Sequence, residues 1–472
     1  MSKSAFLFMI VFAAICFCGC SNCRLTPAPG EVRCSLDEYA ARYWQAIARP
    51  VPVFKKTLRD KTPEESEKLF AQYRAAVRKF APYFENDCEI VDKALGWPQG
   101  TYLKRTYWPL DHDAMKKDKG HECTSWAILP DLAAGNQLFL HKNRDTKIRK
   151  AVLVHRPSSK GRYGYLGFHD IGWVDVTMGM NSVGLAVTVN SGDDSDGWSV
   201  CGMDTTTLGR IILENCKTAD EAVAMLKKMI GNNAYMHGRS GSIWLLADKD
   251  CVYVAEHDAK RFSAQKYTSG AVIRANAWSL PDMIRYSRKE AKNIMNSRQR
   301  EFAVKKALFD LGTQYNRPVT AEVIAGASRG DAVPELPQSA VPCGKRTVSA
   351  ATFSIDREFP ADLSTMYAVP GNPGYTFFIP VPLTINRVPD TLLNQKFSAA
   401  VYKNWAAGKK IISDEKRAEI EKKMNANHRA AREKARKLLR KSFSESSRLE
   451  ARKIMNAAFD ENWKMLEPYI EK

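Results

Sequence analysis

Residues 121–145 read HECTSWAILPDLAAGNQLFLHKNRD, and the fold turns on how this stretch is taken. A cysteine opens an apolar run, Gly135-Asn136 supplies a turn, and a second apolar run leads into a polar cluster ending at Asp145. Two strand-length apolar runs around a Gly-Asn pair predict a β-hairpin. Its first residue, Cys123, follows residues 97–120, an irregular stretch rich in Gly, Pro, Asp and Lys where a cut is expected. Cleavage between Glu122 and Cys123 would leave a cysteine with a free α-amino group at a strand end. A thiol of pKa about 8.5 is little ionised at neutral pH, whereas an α-amino group of about 7.7–8.0 accepts its proton within the same residue. One residue then supplies both nucleophile and base.

Working outward, strand-like apolar runs recur at 126–129, 138–140, 151–154, 172–178 and 184–189. Several are apolar on consecutive positions, which suits a sheet covered on both faces. Helices are predicted from about 206 to 215 and from the Thr218/Glu221 capping box onward. A hairpin at 242–248 and 251–256, a strand at 271–275 and a helix from about 284 to Gly312 follow. Strands return at 347–355, 364–369 and 375–381. This order of sheet, helices and sheet has the texture of an α+β, four-layer αββα sandwich, although periodicity alone equally permits other α+β folds.

The flanks differ from this centre. Capping boxes at Ser35/Glu38 and Thr62/Glu65, the second with Pro63 at the first helical position, predict helices to about residue 48 and from residue 63. Residues 413–472 are dominated by Lys, Arg and Glu with sparse apolar positions, and predict two amphipathic helices packed on the domain. A charge run of this kind is read as a solvated face. The resulting organisation is 1–20 signal peptide, 21–122 helical N-terminal segment, 123–390 catalytic domain and 391–472 basic helical extension.

Residues 2–20 start with Lys3, continue apolar over 5–17 and end in Phe17-Cys18-Gly19-Cys20. That is a signal-peptide layout, too short in its apolar part to span a bilayer comfortably. Gly19-Cys20 resembles the end of a bacterial lipobox with Phe17 in place of the usual Leu, so lipidation at Cys20 and plain secretion are both open. The expected location is the periplasm or cell envelope, with membrane anchoring through Cys20 in the lipidated case. Lys and Arg number 71 against 52 Asp and Glu, a net charge of +19 that would suggest nucleic acid. Export argues against that partner, and solvated faces or attraction to an anionic envelope account for the charge. In an oxidising compartment most of the eleven cysteines are expected as disulfides or buried thiols. No Cys/His spacing suits zinc, and neither metal nor cofactor is expected.

A thiolate attacking a carbonyl also needs fixed donors for the oxyanion that forms. Asn190 and Asn276, each at the end of a predicted strand, are candidates, with turn or strand-end roles as the plain alternative.

The segments CTSWAIL, HKNRD, GMNSVGLAVTVN, ENCKTADEAVAML, WLLADKDCVYVAE, RANAW and NSRQR resemble, in order, the motifs of N-terminal nucleophile hydrolases of the choloylglycine hydrolase and penicillin-type acyl-coenzyme A acyltransferase group. The likeness covers about residues 123–385. It implies an αββα fold, self-cleavage before Cys123, and hydrolysis or acyl transfer at linear, non-peptide or small-peptide amides. Carried over by position, Cys123 matches the nucleophile, Asp145 the aspartate at its α-amino group, and Asn190 and Asn276 the oxyanion asparagines. Ser297 with Arg300, or with Arg298, matches the Ser…Arg motif whose arginine orders the nucleophile. Two positions depart. Lys142 stands where the family has arginine, which loses the planar two-partner fork and leaves Arg144 as a conceivable substitute. Glu122 stands where self-cleaving relatives have a small residue. The helical N-terminal segment fits a retained chain and the acyltransferase-like branch. Two other readings stay open: a Cys-His peptidase pairing Cys123 with His169 or His237, and an envelope-binding lipoprotein without catalysis. The oligomeric state is not readable from the sequence.

Overall fold

The computed structural model describes residues 62–107, 123–146, 151–170, 175–197, 199, 201–236, 240–309, 318–330, 340–393, 396–410 and 412–470. The signal peptide, Cys20, the helix expected near 35–48, Glu122 and His237 lie outside the described residues.

Among the described residues three helices come first: α1 (Pro63–Phe80), α2 (Phe84–Leu95) and α3 (Thr101–Thr106). Thr62 starts α1 with the predicted capping box, its hydroxyl accepting from the Glu65 amide while the Glu65 carboxylate accepts from the Thr62 amide at 2.9 Å. The third helix falls inside the stretch expected to be irregular.

The hairpin of the opening stretch is β1 (Thr124–Ile128) and β2 (Gln137–Asp145), paired antiparallel with Thr124 opposite Asn143 and Trp126 opposite His141. Gly135 and Asn136 both take positive φ in the turn. The chain then builds β3 (Ala151–Arg156), β4 (Tyr165–Asp170), β5 (Met178–Asn181) and β6 (Ala186–Asp194). Helices α4 (Thr205–Asn215) and α5 (Ala219–Gly231) precede β7 (Ser240–Ala247), β8 (Val252–His257), β9 (Phe262–Tyr267) and β10 (Ala271–Arg274). Helices α6 (Ala291–Leu308) and α7 (Ala321–Arg329) lead to β11 (Thr347–Asp356), β12 (Thr365–Val369) and β13 (Ile379–Pro382). The chain closes with α8 (Lys396–Ala406), α9 (Asp414–Lys441) and α10 (Glu445–Ile470).

Two antiparallel sheets result, one ordered β10-β1-β2-β11-β12-β13 and the other running β3 to β9 in sequence. They meet where β1 and β2 lie on β6, β1 on β7, and β11 on β5. Alternation along the hairpin assigns its two faces. Trp126, Ile128 and Phe139 pack outward on Val304, Leu308 and Ile324 of α6 and α7, while Ala127, Leu138 and Leu140 join the core shared with the second sheet. Helices α4 and α5 lie on β5–β6 and β7–β9.

Several expectations need adjusting. The strand placed at 172–178 is instead β5, starting at Met178, with residues 171–174 outside the described residues. The helix from 284 is interrupted: a single turn, Pro281–Ile284, ends before α6 begins at Ala291. Strands β4 and β9 and helix α7 carry no clear apolar run. Strand β9 is a half-exposed edge. In β4, Gly167 lies so close to β5 that an added Cβ would stand 2.7 Å from the Met178 carbonyl oxygen.

The basic extension is not a uniformly solvated face. Arg432 and Arg436 of α9 both bind the buried Asp356 carboxylate of β11, the first at 2.7 Å. Arg329 binds Glu421 at 2.5 Å, whose carboxylate also accepts from the Phe378 amide, and Arg448 binds Asp362 at 2.9 Å. The N-terminal helices are tied in likewise: Asp87 of α2 accepts from Arg156 of β3 and from Arg162, each at 2.9 Å, and from Arg210 of α4. Burial alone would raise the Asp356 carboxyl, but the two guanidiniums and the Phe359 amide hold it below its ordinary value. Its stabilising contribution is therefore present above the ordinary carboxylate range and lost as pH falls through the depressed value. Asp356→Ala removes the buried carboxylate that Arg432 and Arg436 share, leaving Arg432 without an acid among the described residues and Arg436 with Glu433. The change should lower unfolding free energy by about 3–5 kcal/mol, with a weaker acid dependence, in urea titrations at several pH values. A loss below about 1 kcal/mol would mark the pairs as no more than surface-like.

Candidate active site

Cys123 immediately precedes β1 and is 5% exposed. Its sulfur faces the Asp145 carbonyl at 3.8 Å, because the β1–β2 register brings the two ends of the hairpin side by side. A small cavity of about 120 Å³ opens on the sulfur, lined by Lys142, Arg144, Asp145, Thr177, Asn190 and Thr206 among others.

Strand alternation aims Lys142 and Arg144 at the second sheet, while His141 and Asn143 turn to Thr352 and Ser328 on the other side. The Lys142 amine donates to the Val189 carbonyl and to Asn190 Oδ1, both at 2.6 Å. Burial lowers its pKa, opposed chiefly by the neighbouring Cys123 sulfur. The guanidinium of Arg144, weighed above as a substitute, grips Asp170 through two bonds of 2.6 Å.

Asn190 is engaged at both ends of its amide. Oδ1 accepts from Lys142 and from Ser125 at 2.9 Å, and Nδ2 donates to the carbonyls of Arg274 and Ala275 at 3.1 and 3.0 Å. In this arrangement the side chain braces three strands, with both of its N–H groups engaged. Asn276 donates one N–H to the Ser191 carbonyl at 2.8 Å and accepts from Arg300 at 3.0 Å. Arg300, from α6, reaches the Cys123 carbonyl at 2.7 Å and the Thr124 hydroxyl at 2.9 Å. Of the two arginines weighed, Arg300 reaches Cys123. Arg298 instead binds Glu301 and the Trp278 carbonyl, and Ser297 bonds back to the Asn293 carbonyl within its helix.

No described histidine lines the cavity. His169 is buried against Tyr165, 3.2 Å from its hydroxyl. The six described cysteines are free thiols, and burial pushes Cys216 and Cys251 up to about 12. Among the described residues no cluster of metal-ligating side chains forms.

Sequence reasoning passed over Ser125, Thr206, Asp170 and Asp175. Ser125 was recoverable, since it lies opposite Lys142 in the hairpin register. The others come from a helix N-terminus, a strand end and a loop, whose convergence has no local signal. Asp175 accepts from the Thr206 hydroxyl at 2.6 Å. Burial, with Asp204 and Asp170 nearby, raises its pKa to about 8.

Residues 132–308 match the family model described as acyl-coenzyme A:6-aminopenicillanic acid acyl-transferase. The matched segment includes Lys142, Asp145, Asn190, Asn276 and Arg300 and begins after Cys123. No match is found among curated proteins. Of solved structures, penicillin V acylase from Agrobacterium tumefaciens is 17% identical with a TM-score of 0.30, over 52% of this chain and 83% of the other. The N-acylethanolamine-hydrolyzing acid amidase ortholog of Caenorhabditis elegans is 15% identical with a TM-score of 0.32, over 51% and 98%. A mutant conjugated bile acid hydrolase from Clostridium perfringens is 11% identical with a TM-score of 0.27, over 52% and 89%.

The Asp175 environment has a measurable consequence. A carboxyl with a raised folded pKa stabilises fully below its unfolded value of about 3.9, and that contribution is lost as pH rises. The loss should run from there up to about 8. Asn mimics the protonated acid, so the stability difference between Asp175→Asn and wild type should swing in the variant's favour across that window. Parallel pH dependences in thermal unfolding would place Asp175 in its ordinary range.

Proposed function

Residues 132–308 belong to the acyl-coenzyme A:6-aminopenicillanic acid acyl-transferase family of N-terminal nucleophile hydrolases, and on that premise we propose that this chain is an exported, self-processed cysteine amidohydrolase or acyltransferase. The coarse class, linear-amide C–N hydrolases, is that of the family's members. The finer reading has Cys123 as nucleophile, autoproteolysis between Glu122 and Cys123, and a linear, non-peptide or small-peptide amide as substrate. Four αββα layers and export, with either lipid anchoring at Cys20 or plain secretion, complete it. Contact between the two sheets, with α6–α7 beside one and α4–α5 beside the other, supports the layering. The layout of residues 2–20 supports export.

One observation carries the proposal. Cys123 stands just before a core strand and lines a cavity together with Lys142, Arg144 and Asp145, while Arg300 fixes its carbonyl. After cleavage the α-amino group takes the thiol proton and the thiolate attacks the amide carbonyl. That proton then passes to the leaving amine as the acyl-enzyme forms, and water or an amine releases the acyl group. Asn276, oriented by Arg300, supplies an oxyanion donor through its remaining N–H, and Asn190 holds the surrounding strand ends in place. The Cys-His alternative is disfavoured, since no histidine among the described residues reaches the cavity.

Intact-mass analysis should find two chains meeting at Glu122 and Cys123 in wild type, and one chain in Cys123→Ala. An uncut, fully active wild type would falsify the N-terminal nucleophile mechanism. Asn276→Ala should reduce turnover about a hundredfold with near-ultraviolet circular dichroism unchanged. A fall of less than about twofold removes Asn276 from the oxyanion role.

A further inference from the structure

The N-terminal nucleophile reading leaves one step without a base. Before the cut, the nitrogen of Cys123 belongs to an amide and is not basic, so the α-amino group cannot activate the thiol that must perform the first cleavage. Some other group has to take that proton.

Three residues on the cavity wall carry candidate groups beside the sulfur: Lys142, Arg144 and Asp145. Arg144 is held in its charged form, above its ordinary range, by the Asp170 carboxylate that it grips. Asp145 meets the sulfur through its main-chain carbonyl, and its carboxylate on the cavity wall is the rival base that the Asp145→Asn comparison below tests. The bonding of Lys142 suits the task. A neutral amine has two N–H donors and one lone pair. The Val189 carbonyl and Asn190 Oδ1, both at 2.6 Å, take two donors and leave one position of the nitrogen, on the wall of the cavity that Cys123 also lines. Those acceptors are themselves fixed, Val189 within β6 and Asn190 by Ser125, Arg274 and Ala275.

We propose that Lys142 is the proton acceptor for self-cleavage of the uncut chain, a role that rests on the N-terminal nucleophile reading and that the family's arginine, always charged, could not fill. The thiol proton passes to the Lys142 amine and the sulfur bonds to the Glu122 carbonyl carbon. As the carbon–nitrogen bond breaks, Lys142 returns the proton to the departing nitrogen, which becomes the α-amino group of Cys123. Water then hydrolyses the thioester, its oxygen bonding to the carbonyl carbon and a proton returning to sulfur. Lys142 ends neutral, and the peptide bond has gained one water. Burial of the amine favours the neutral form that the first step requires.

The charged and titratable neighbours of Lys142 are Cys123 before β1 and Arg144 and Asp145 on its own strand. The test follows cleavage of freshly refolded full-length chains by intact mass between pH 6 and 9. Lys142→Arg keeps the cation and cannot accept a proton, so cleavage at pH 7 should slow at least about a hundredfold and should climb with direct ionisation of the thiol. Lys142→Ala should be similarly slow and should regain cleavage with added ethylamine, but not with tetramethylammonium, which carries charge without a proton site. This second pair decides the matter if Lys142→Arg does not fold. Cleavage of Lys142→Arg within about threefold of wild type overturns the proposal alone, as does equal rescue by the two additives. So does loss of cleavage in Asp145→Asn alongside normal Lys142→Arg. A wild type that stays uncut at every pH overturns the N-terminal nucleophile reading itself, and this proposal with it.

Discussion

One buried amide holds the centre of this molecule together. The Asn190 side chain, carried by the second sheet, accepts from Ser125 on β1 and Lys142 on β2 and donates to the carbonyls that end β10. Four buried polar groups each gain a hydrogen bond from this single residue, and an unsatisfied buried polar group is costly. The packing of one sheet on the other is therefore specific at this point and not merely apolar. The same contact sets the position of the Lys142 amine and, through the β1–β2 register, of Cys123. Structure and the proposed reactivity share one hydrogen-bonding junction.

A second constraint is electrostatic. A chain with a net charge of +19 has to place many cations, and several arginines lie inside. Arg432 and Arg436 close on Asp356, Arg156 and Arg210 on Asp87 and Glu214, and Arg144 on Asp170. Each cluster links elements far apart in sequence. The first joins the C-terminal helices to β11, the second the N-terminal helices to the second sheet, and the third the two sheets. Paired in this way the charges confer orientation, since a guanidinium that loses its carboxylate in the interior is far costlier than one in water. Asp87 also explains how the segment before the proposed cut can stay bound once the peptide bond has gone. It docks through three arginines and an apolar face that includes Tyr73, Val77, Phe84 and Val91.

Much of the fold was legible along the chain because it depends on local chemistry. The Thr62 and Thr218 caps, the Gly135-Asn136 turn and the apolar runs of β1, β2 and β11 act over a few residues, and each formed where its pattern indicated. Elements without such patterns escaped: the edge strand β9, the glycine-containing β4 and the helix α7 owe their places to the neighbours they pair with or pack on. The arginines of α9 misled for the same reason. A run of Arg and Lys looks solvated until the carboxylate that awaits it on another element is known.

For the site, the sequence by itself determined which residue types are present and that a cysteine stands at the mouth of a core hairpin, because strand period and turn chemistry are local properties. Only the tertiary structure decided that Arg300 and not Arg298 reaches Cys123, that Arg144 is bound to Asp170, and that Asn190 braces strands. These outcomes depend on distances between residues tens to hundreds of positions apart. Such distances are set by the packing of whole sheets and helices, and no short-range pattern encodes them.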